Sequence, residues 1–225
     1  MFLSILAVMN FVKRPLILLT NSMVFNFEIR RKIFHLHSLI FPLFYLFASK
    51  LTTLLLLLLI TSIVIYIDIS RHYNPKIKNL VNKFFFTLMR VQEKSGSFKL
   101  SGASFMTIGF FLSALFFPKN LSITSWLILI ISDSLAAIVG IRIGTKVYNG
   151  KTIEGATAFL LSAILIGISC NIFIGYKTSF LVIVISSIIT TAIEFYSQKL
   201  YLNDNLLIPF SYGFSTIIFN FILGI

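Results

Sequence analysis

Uncharged apolar runs recur along this chain at 51–67, 100–118, 120–132, 155–176, 178–193 and 205–225, and they constrain its fold more than any motif does. Several reach the ~20 residues that an α-helix needs to cross ~30 Å of hydrocarbon. A seventh candidate, 33–49, is apolar apart from His35 and His37. The runs are continuous, without the alternation of a membrane barrel strand. Only 12% of the residues are charged and the mean hydropathy is +0.96, whereas a soluble domain carries about twice that charge. The expectation is an all-α integral membrane protein of about seven transmembrane helices. Residues 1–12 make a poor signal peptide, being apolar without a basic start and followed by Lys13-Arg14. Residues 1–32 read as an N-terminal interfacial segment, with an eighth crossing within 1–27 left open, and 33–225 as one polytopic domain.

The net charge of +12 could suggest nucleic acid, but its distribution points to the membrane. With the N-terminus in the cytoplasm and seven crossings, 16 of the 19 basic residues fall on the cytoplasmic side; only Lys50, Lys119 and Lys177 fall outside. That is the positive-inside pattern, and it places the C-terminus outside. Membrane lipids, not nucleic acids, are the expected partners of this charge. The cytoplasmic connections, 69–99, 141–154 and 195–204, are longer than the outer turns. Within 72–91, Ile77, Leu80, Val81, Phe84 and Phe85 recur at helical spacing among Lys76, Lys78 and Lys83, as in an interfacial amphipathic helix. Cys170 is the only cysteine, so no intramolecular disulfide forms. The sequence leaves oligomeric state open.

All seven acids, Glu28, Asp68, Glu93, Asp133, Glu154, Glu194 and Asp204, fall on the cytoplasmic side in this threading. Acids follow no strong sidedness rule, so the clustering needs its own cause. Asp133 is the clearest case, with thirteen uncharged residues before it and eight after. A carboxylate at membrane depth costs at least ~2–3 kcal/mol and persists where it is paired or hydrated. One reading pairs it with Arg142 or a neighbouring helix; the other makes it part of a metal or phosphate site.

Residues 132–159 set Asp133, Arg142, Lys146, Lys151 and Glu154 around Gly140, Gly144, Gly150 and Gly155. Phosphoryl transfer uses these residue types. Mg²⁺ takes one or two carboxylates plus phosphate oxygens, lysine and arginine stabilise charge on the transferred group, and glycine-rich backbone approaches phosphates closely. The spacing from Gly144 to Lys151-Thr152 misses the P-loop pattern by one residue, and no strand is expected ahead of Gly144. Gly140 and Gly144 also fit a helix-packing pair. Glu28, Arg31, Lys32 and His35 would share one helix face. Arg90 and Glu93 precede a small-residue segment, and Asp204-Asn205 with Pro209 come after the last cytoplasmic connection.

Taken in order, these pieces resemble the polyprenol kinase family, which comprises dolichol kinase, phytol kinase and the CTP-dependent diacylglycerol kinases. The opening R-K-x-x-H is matched by Arg31, Lys32 and His35, and R-x-x-E by Arg90 and Glu93, followed by Gly102 and Gly109. The main signature is matched by Asp133, Ala136, Gly140, Gly144, Lys151, Glu154 and Gly155, and D-N-x₃-P by Asp204, Asn205 and Pro209. Ser132 stands where that pattern has glycine, and Thr152 where it has serine. The resemblance spans residues 28 to 210 and implies CTP as phosphoryl donor and a long-chain lipid alcohol as acceptor.

The sequence-level expectation is therefore a multi-pass membrane lipid kinase, in the inner membrane if the source is bacterial. Asp133 would bind Mg²⁺, with Glu154 or Asp204 as a second metal contact. Lys151, Arg142 and Lys146 would hold the polyphosphate, with Arg31, Lys32 and Thr152 beside them and Gly140, Gly144, Gly150 and Gly155 admitting it. His35 or Glu93 would serve as base, with Glu154 among the catalytic acids. Two alternatives stand beside it: a CTP-dependent phosphatidate cytidylyltransferase, and a non-enzymatic transporter or scaffold.

Overall fold

The computed structural model describes residues 28–85, 100–148, 150–175, 177–197, 199 and 203–224. Arg90, Glu93 and the N-terminal segment 1–27 lie outside the described residues. The fold is all-α, with one two-stranded hairpin. Among the described residues, four helices are long and apolar enough to cross a membrane: α3 (Lys50–Tyr73), the composite helix Lys119–Ile143, α8 (Ile153–Phe173) and α10 (Asp204–Leu223). Two shorter apolar helices accompany them, α5 (Gly102–Phe116) and α9 (Phe180–Tyr196). The composite helix runs as α6 (Lys119–Leu127), a π-helical turn at Ile128–Ser132, and α7 (Asp133–Ile143).

The apolar run expected over 33–49 is broken. Residues 28–37 form α1, a turn comes next at Ser38-Leu39, and α2 covers Ile40–Phe47. Pro42 is the cause, because it has no N–H for the Ser38 carbonyl four residues back and its ring crowds that carbonyl. The Ser38 carbonyl accepts instead from Phe41 N at 3.0 Å. After α3, Asn74 separates a short basic helix, α4 (Pro75–Phe85). It keeps Lys76, Lys78 and Lys83 exposed, as the periodicity of 72–91 predicts.

Aromatic packing centres the bundle on Trp126, which stacks on Tyr45 (ring centroids 5.3 Å apart) and meets Phe110 at 4.7 Å. All three are fully buried, together with Ile123 of the helix that carries Trp126 and Leu57, Phe159 and Tyr212 from three other helices. At one end of the bundle, Lys50 donates to the carbonyls of Leu115 and Phe117, and Lys119 to those of Leu46 and Ala48. Asn120 donates there to the carbonyls of Ile174 and Gly175. These contacts satisfy C-terminal helix carbonyls that would otherwise lack partners. The opposite end carries the charged site.

Candidate functional site

Six charged or ionisable side chains from five elements converge around the beginning of α7. Lys32 and His35 come from α1, Asp133 from the first turn of α7, Lys151 from the hairpin, Glu194 from α9 and Asp204 from the first turn of α10. Lys32 Nζ pairs with Asp133 Oδ2, and His35 Nε2 lies 3.9 Å from the same oxygen. Lys151 Nζ pairs with Glu194 Oε1 and lies 3.5 Å from Asp204 Oδ2. Asp133 also feels Asp204 and Lys151 electrostatically, which joins the two halves into one cluster. Lys32, Asp133, Glu194 and Asp204 are all buried.

Breaking such a buried pair by removing one partner costs about 3–5 kcal/mol, because a charge is left uncompensated. The Lys151 ammonium shows how that is avoided here. Burial alone would discharge it, but Asp204, Glu194 and Asp133 hold its pKa above the ordinary lysine value. Among the described residues of the cluster, three carboxylates face two ammonium groups.

Local sequence explains how each group arrives. Lys151 sits on a hairpin pairing Val147 with Thr152 and Tyr148 with Lys151. Gly150, in the turn of that hairpin, takes φ 79°, a left-handed conformation that glycine adopts freely. Thr152 is the N-cap of α8, its Oγ1 accepting from Gly155 N at 3.1 Å. Asp204 comes directly after the N-cap residue Asn203 at the start of α10. Its neighbour Asn205 donates to the Gly102 carbonyl at 2.8 Å, tying α10 to α5. Pro209 leaves the Asn205 carbonyl without its usual helical donor, and Gly109 packs against that carbonyl, where a Cβ would come within 2.8 Å.

Several expected site residues lie elsewhere. Asp133 pairs with Lys32 of a neighbouring helix, whereas Arg142 and Lys146 are exposed at and beyond the far end of α7. Arg31 pairs with Glu28 on its own helix. Glu154 does not join Asp133 and Asp204; its Oε1 accepts from Thr145 N at 3.0 Å and Thr145 Oγ1 at 2.7 Å, closing the 144–152 connection. Gly140, Gly144 and Gly155 are packing glycines. A Cβ on Gly140 would lie 2.7 Å from Thr152 Oγ1, one on Gly144 2.6 Å from Thr152 Cγ2, and one on Gly155 2.7 Å from the Ala136 carbonyl. The expected loop at 141–154 is thus a close crossing of α7 and α8 joined by a hairpin.

Glu194 is the cluster member to which the sequence alone assigned no role. Its signal is a run of polar residues along an apolar helix, where Ser186, Ser187, Thr190, Thr191 and Glu194 share the buried face of α9. Asp68 forms a second buried station. It pairs with Arg71 at 3.2 Å and accepts from Ser101 N, Ser101 Oγ and Ser104 Oγ, fastening α3 to the start of α5.

Among the described residues, no three acids or imidazoles stand close enough to hold a metal by themselves. The donors do fit a hard cation that arrives with phosphate, since Mg²⁺ uses one or two carboxylates and takes its other oxygens from phosphate and water. The ammonium groups of Lys32, buried, and Lys151, part-buried, stand beside those carboxylates and provide donors for phosphate oxygens.

No family model matches the chain, and no solved structure matches it significantly. Two proteins do. The uncharacterized protein RP860 of Rickettsia prowazekii is 55% identical over 199 residues, covering 88% of this chain and 98% of that protein. The uncharacterized protein MJ1137 of Methanocaldococcus jannaschii is 31% identical over 171 residues, covering 75% of this chain and 81% of that one. The chain belongs to the family that contains these two proteins.

Proposed function

We propose that this protein is a membrane lipid kinase that moves the γ-phosphate of a nucleotide, CTP by its resemblance to the polyprenol kinases, to the hydroxyl of a long-chain lipid alcohol. The observation that carries this reading is the buried cluster Lys32–Asp133 and Lys151–Glu194–Asp204 at one end of an apolar bundle. Ammonium donors beside carboxylates, partly shielded from water, suit the charge of a transferring phosphoryl group. In the seven-pass threading this end faces the cytoplasm, where the nucleotide is, and the lipid alcohol reaches it laterally from the bilayer.

In this reading Lys32 and Lys151 turn from their carboxylates to phosphate oxygens, and Asp133 with Asp204 take the metal. When bound, Mg²⁺ neutralises charge on the β- and γ-phosphates. The acceptor oxygen forms its bond to Pγ as the bond to the bridging oxygen breaks, CDP leaves, and the hydroxyl proton passes to a base. The sequence offers His35 and Glu93 for that last role. A cytidylyltransferase would use the same groups at the α-phosphate and release pyrophosphate.

The test uses the purified full chain in lipid nanodiscs with γ-labelled CTP or ATP, a panel of polyprenols, phytol-like alcohols and diacylglycerol, and Mg²⁺. Label transferred to one lipid, absent without Mg²⁺ and absent in Asp133→Asn, supports the kinase. Pyrophosphate released only with phosphatidic acid would replace it with the cytidylyltransferase. Failure to turn over or bind nucleotide would leave the cluster as a structural ion-pair network.

A further inference from the structure

The π-helical turn at Ile128–Ser132 ends on the residue before Asp133, inside a helix that is otherwise α-helical from Lys119 to Ile143. A π turn accommodates one extra residue and rotates the helix after it relative to the helix before it; such bulges recur at functional sites. Side chains take up two carbonyls of the widened turn. His35 Nε2 lies 3.3 Å from the Leu129 carbonyl, and Ser134 Oγ donates to the Ile130 carbonyl at 2.6 Å. Ser113 and Ser162 bond back to carbonyls four residues earlier, as Ser134 does. The fully buried Ser132 hydroxyl, in the last position of the turn, has no partner among the described residues.

From this geometry we infer that the π turn is the device that aims Asp133 at Lys32, and that His35 is a positioning residue that braces it. A carbonyl oxygen only accepts, so the His35 nitrogen facing Leu129 carries its hydrogen. That nitrogen is also the one nearest Asp133, at 3.9 Å. In this arrangement it has no lone pair with which to take a proton from a substrate. His35 therefore holds the bulge carbonyl and fixes the position of Asp133 through it. The importance of this for catalysis rests on the kinase reading above; the geometric claim does not.

Three variants test it in the full chain in nanodiscs. Deleting Ile131 removes the extra residue, so the helix becomes regular and Asp133 keeps its direction relative to α6, whereas a deletion in an already regular helix would turn it by about 100°. His35→Gln keeps an N–H able to reach the Leu129 carbonyl but cannot act as a base, whereas His35→Ala keeps neither.

The first readout is independent of activity: the non-additivity of Lys32→Met and Asp133→Asn in unfolding temperature. It should persist in His35→Gln and in the Ile131 deletion and shrink in His35→Ala; loss of coupling in a folded Ile131 deletion would mean that the turn holds no extra residue. Coupling unchanged in His35→Ala overturns the bracing role, even if the deletion fails to fold. The second readout is turnover with γ-labelled CTP and the acceptor found above. His35→Gln should stay within about tenfold of wild type, because a lost general base costs typically 10²–10⁴-fold. His35→Ala should lose about 10²-fold, the scale of a 1 Å misplacement. Equal loss in Gln and Ala variants, with the coupling intact in both, makes His35 the base and overturns the proposal. If neither variant nor wild type turns over, the kinase reading fails while the coupling result still decides the geometric claim.

Discussion

The two ends of the bundle use lysine in opposite ways. At one end Lys50 and Lys119 cap the carbonyls of neighbouring helices, and no acid stands beside them among the described residues. At the other, buried Lys32 and part-buried Lys151 pair with Asp133, Glu194 and Asp204. Capping a carbonyl satisfies one polar group and asks nothing of its surroundings. Burying ammonium groups beside carboxylates is a poor way to gain stability, since well-packed apolar residues often do as well or better. An arrangement that does not favour stability and sits at one end only is where a ligand-binding role should be sought.

The largest test of that contrast is Asp133→Asn. It leaves Lys32 buried without its counterion, at a cost of about 3–5 kcal/mol, and on the kinase reading it abolishes transfer. Thermal unfolding in nanodiscs and the label-transfer assay measure the two effects separately. Wild-type turnover in this variant would remove Asp133 from the site. Lys151→Met should come close behind, with a similar loss of stability, because it strands Glu194 and removes a counterion from Asp204. Lys119→Met, at the opposite end, should cost only about 1–2 kcal/mol for its carbonyl contacts. Equal losses from Lys151→Met and Lys119→Met would erase the distinction between the two ends.

Between these lies the α7–α8 crossing. Gly155→Ala drives a methyl to 2.7 Å from the Ala136 carbonyl, and overpacking of this kind costs about 1–3 kcal/mol. Because Gly155 touches Thr152 rather than the charged groups, its loss should appear in unfolding temperature and, on the kinase reading, leave nucleotide affinity in place. A variant of normal stability that no longer binds nucleotide would return Gly155 to the phosphate site expected from the sequence.

These residues also mark what could be read before the fold was known. The apolar runs and Asp133 were legible because charge within a hydrocarbon-length helix is costly and therefore conspicuous. Asp204, Lys32, His35 and Lys151 were found by their order along the chain, and the fold gathers them. The glycines carried two readings, since a packing glycine and a phosphate-loop glycine look alike until the facing atoms are known. Glu154 did so for a related reason: an acid in a first helical turn suits the helix dipole as well as a metal. Asn149-Gly150 carried a hairpin signal that the surrounding charges obscured. Ile-Leu-Ile-Ile-Ser carries no signature of a π turn, and the contact of its Leu129 carbonyl with His35 becomes visible only in the fold.

The smallest expected effect is no effect, across most of the pH range. A lysine whose folded pKa lies above its unfolded value of about 10.4 adds stability that is complete below that value. The contribution declines only as pH rises from there through the folded value. Lys151 is raised in this way, with Asp204, Glu194 and Asp133 outweighing burial. The difference in unfolding temperature between wild type and Lys151→Met should therefore stay constant from pH 7 to about 9.5 and begin to close only above about 10.4. A difference that already closes between pH 7 and 9 would mean that the carboxylates do not hold the Lys151 charge, and the contrast between the two ends would lose its electrostatic basis.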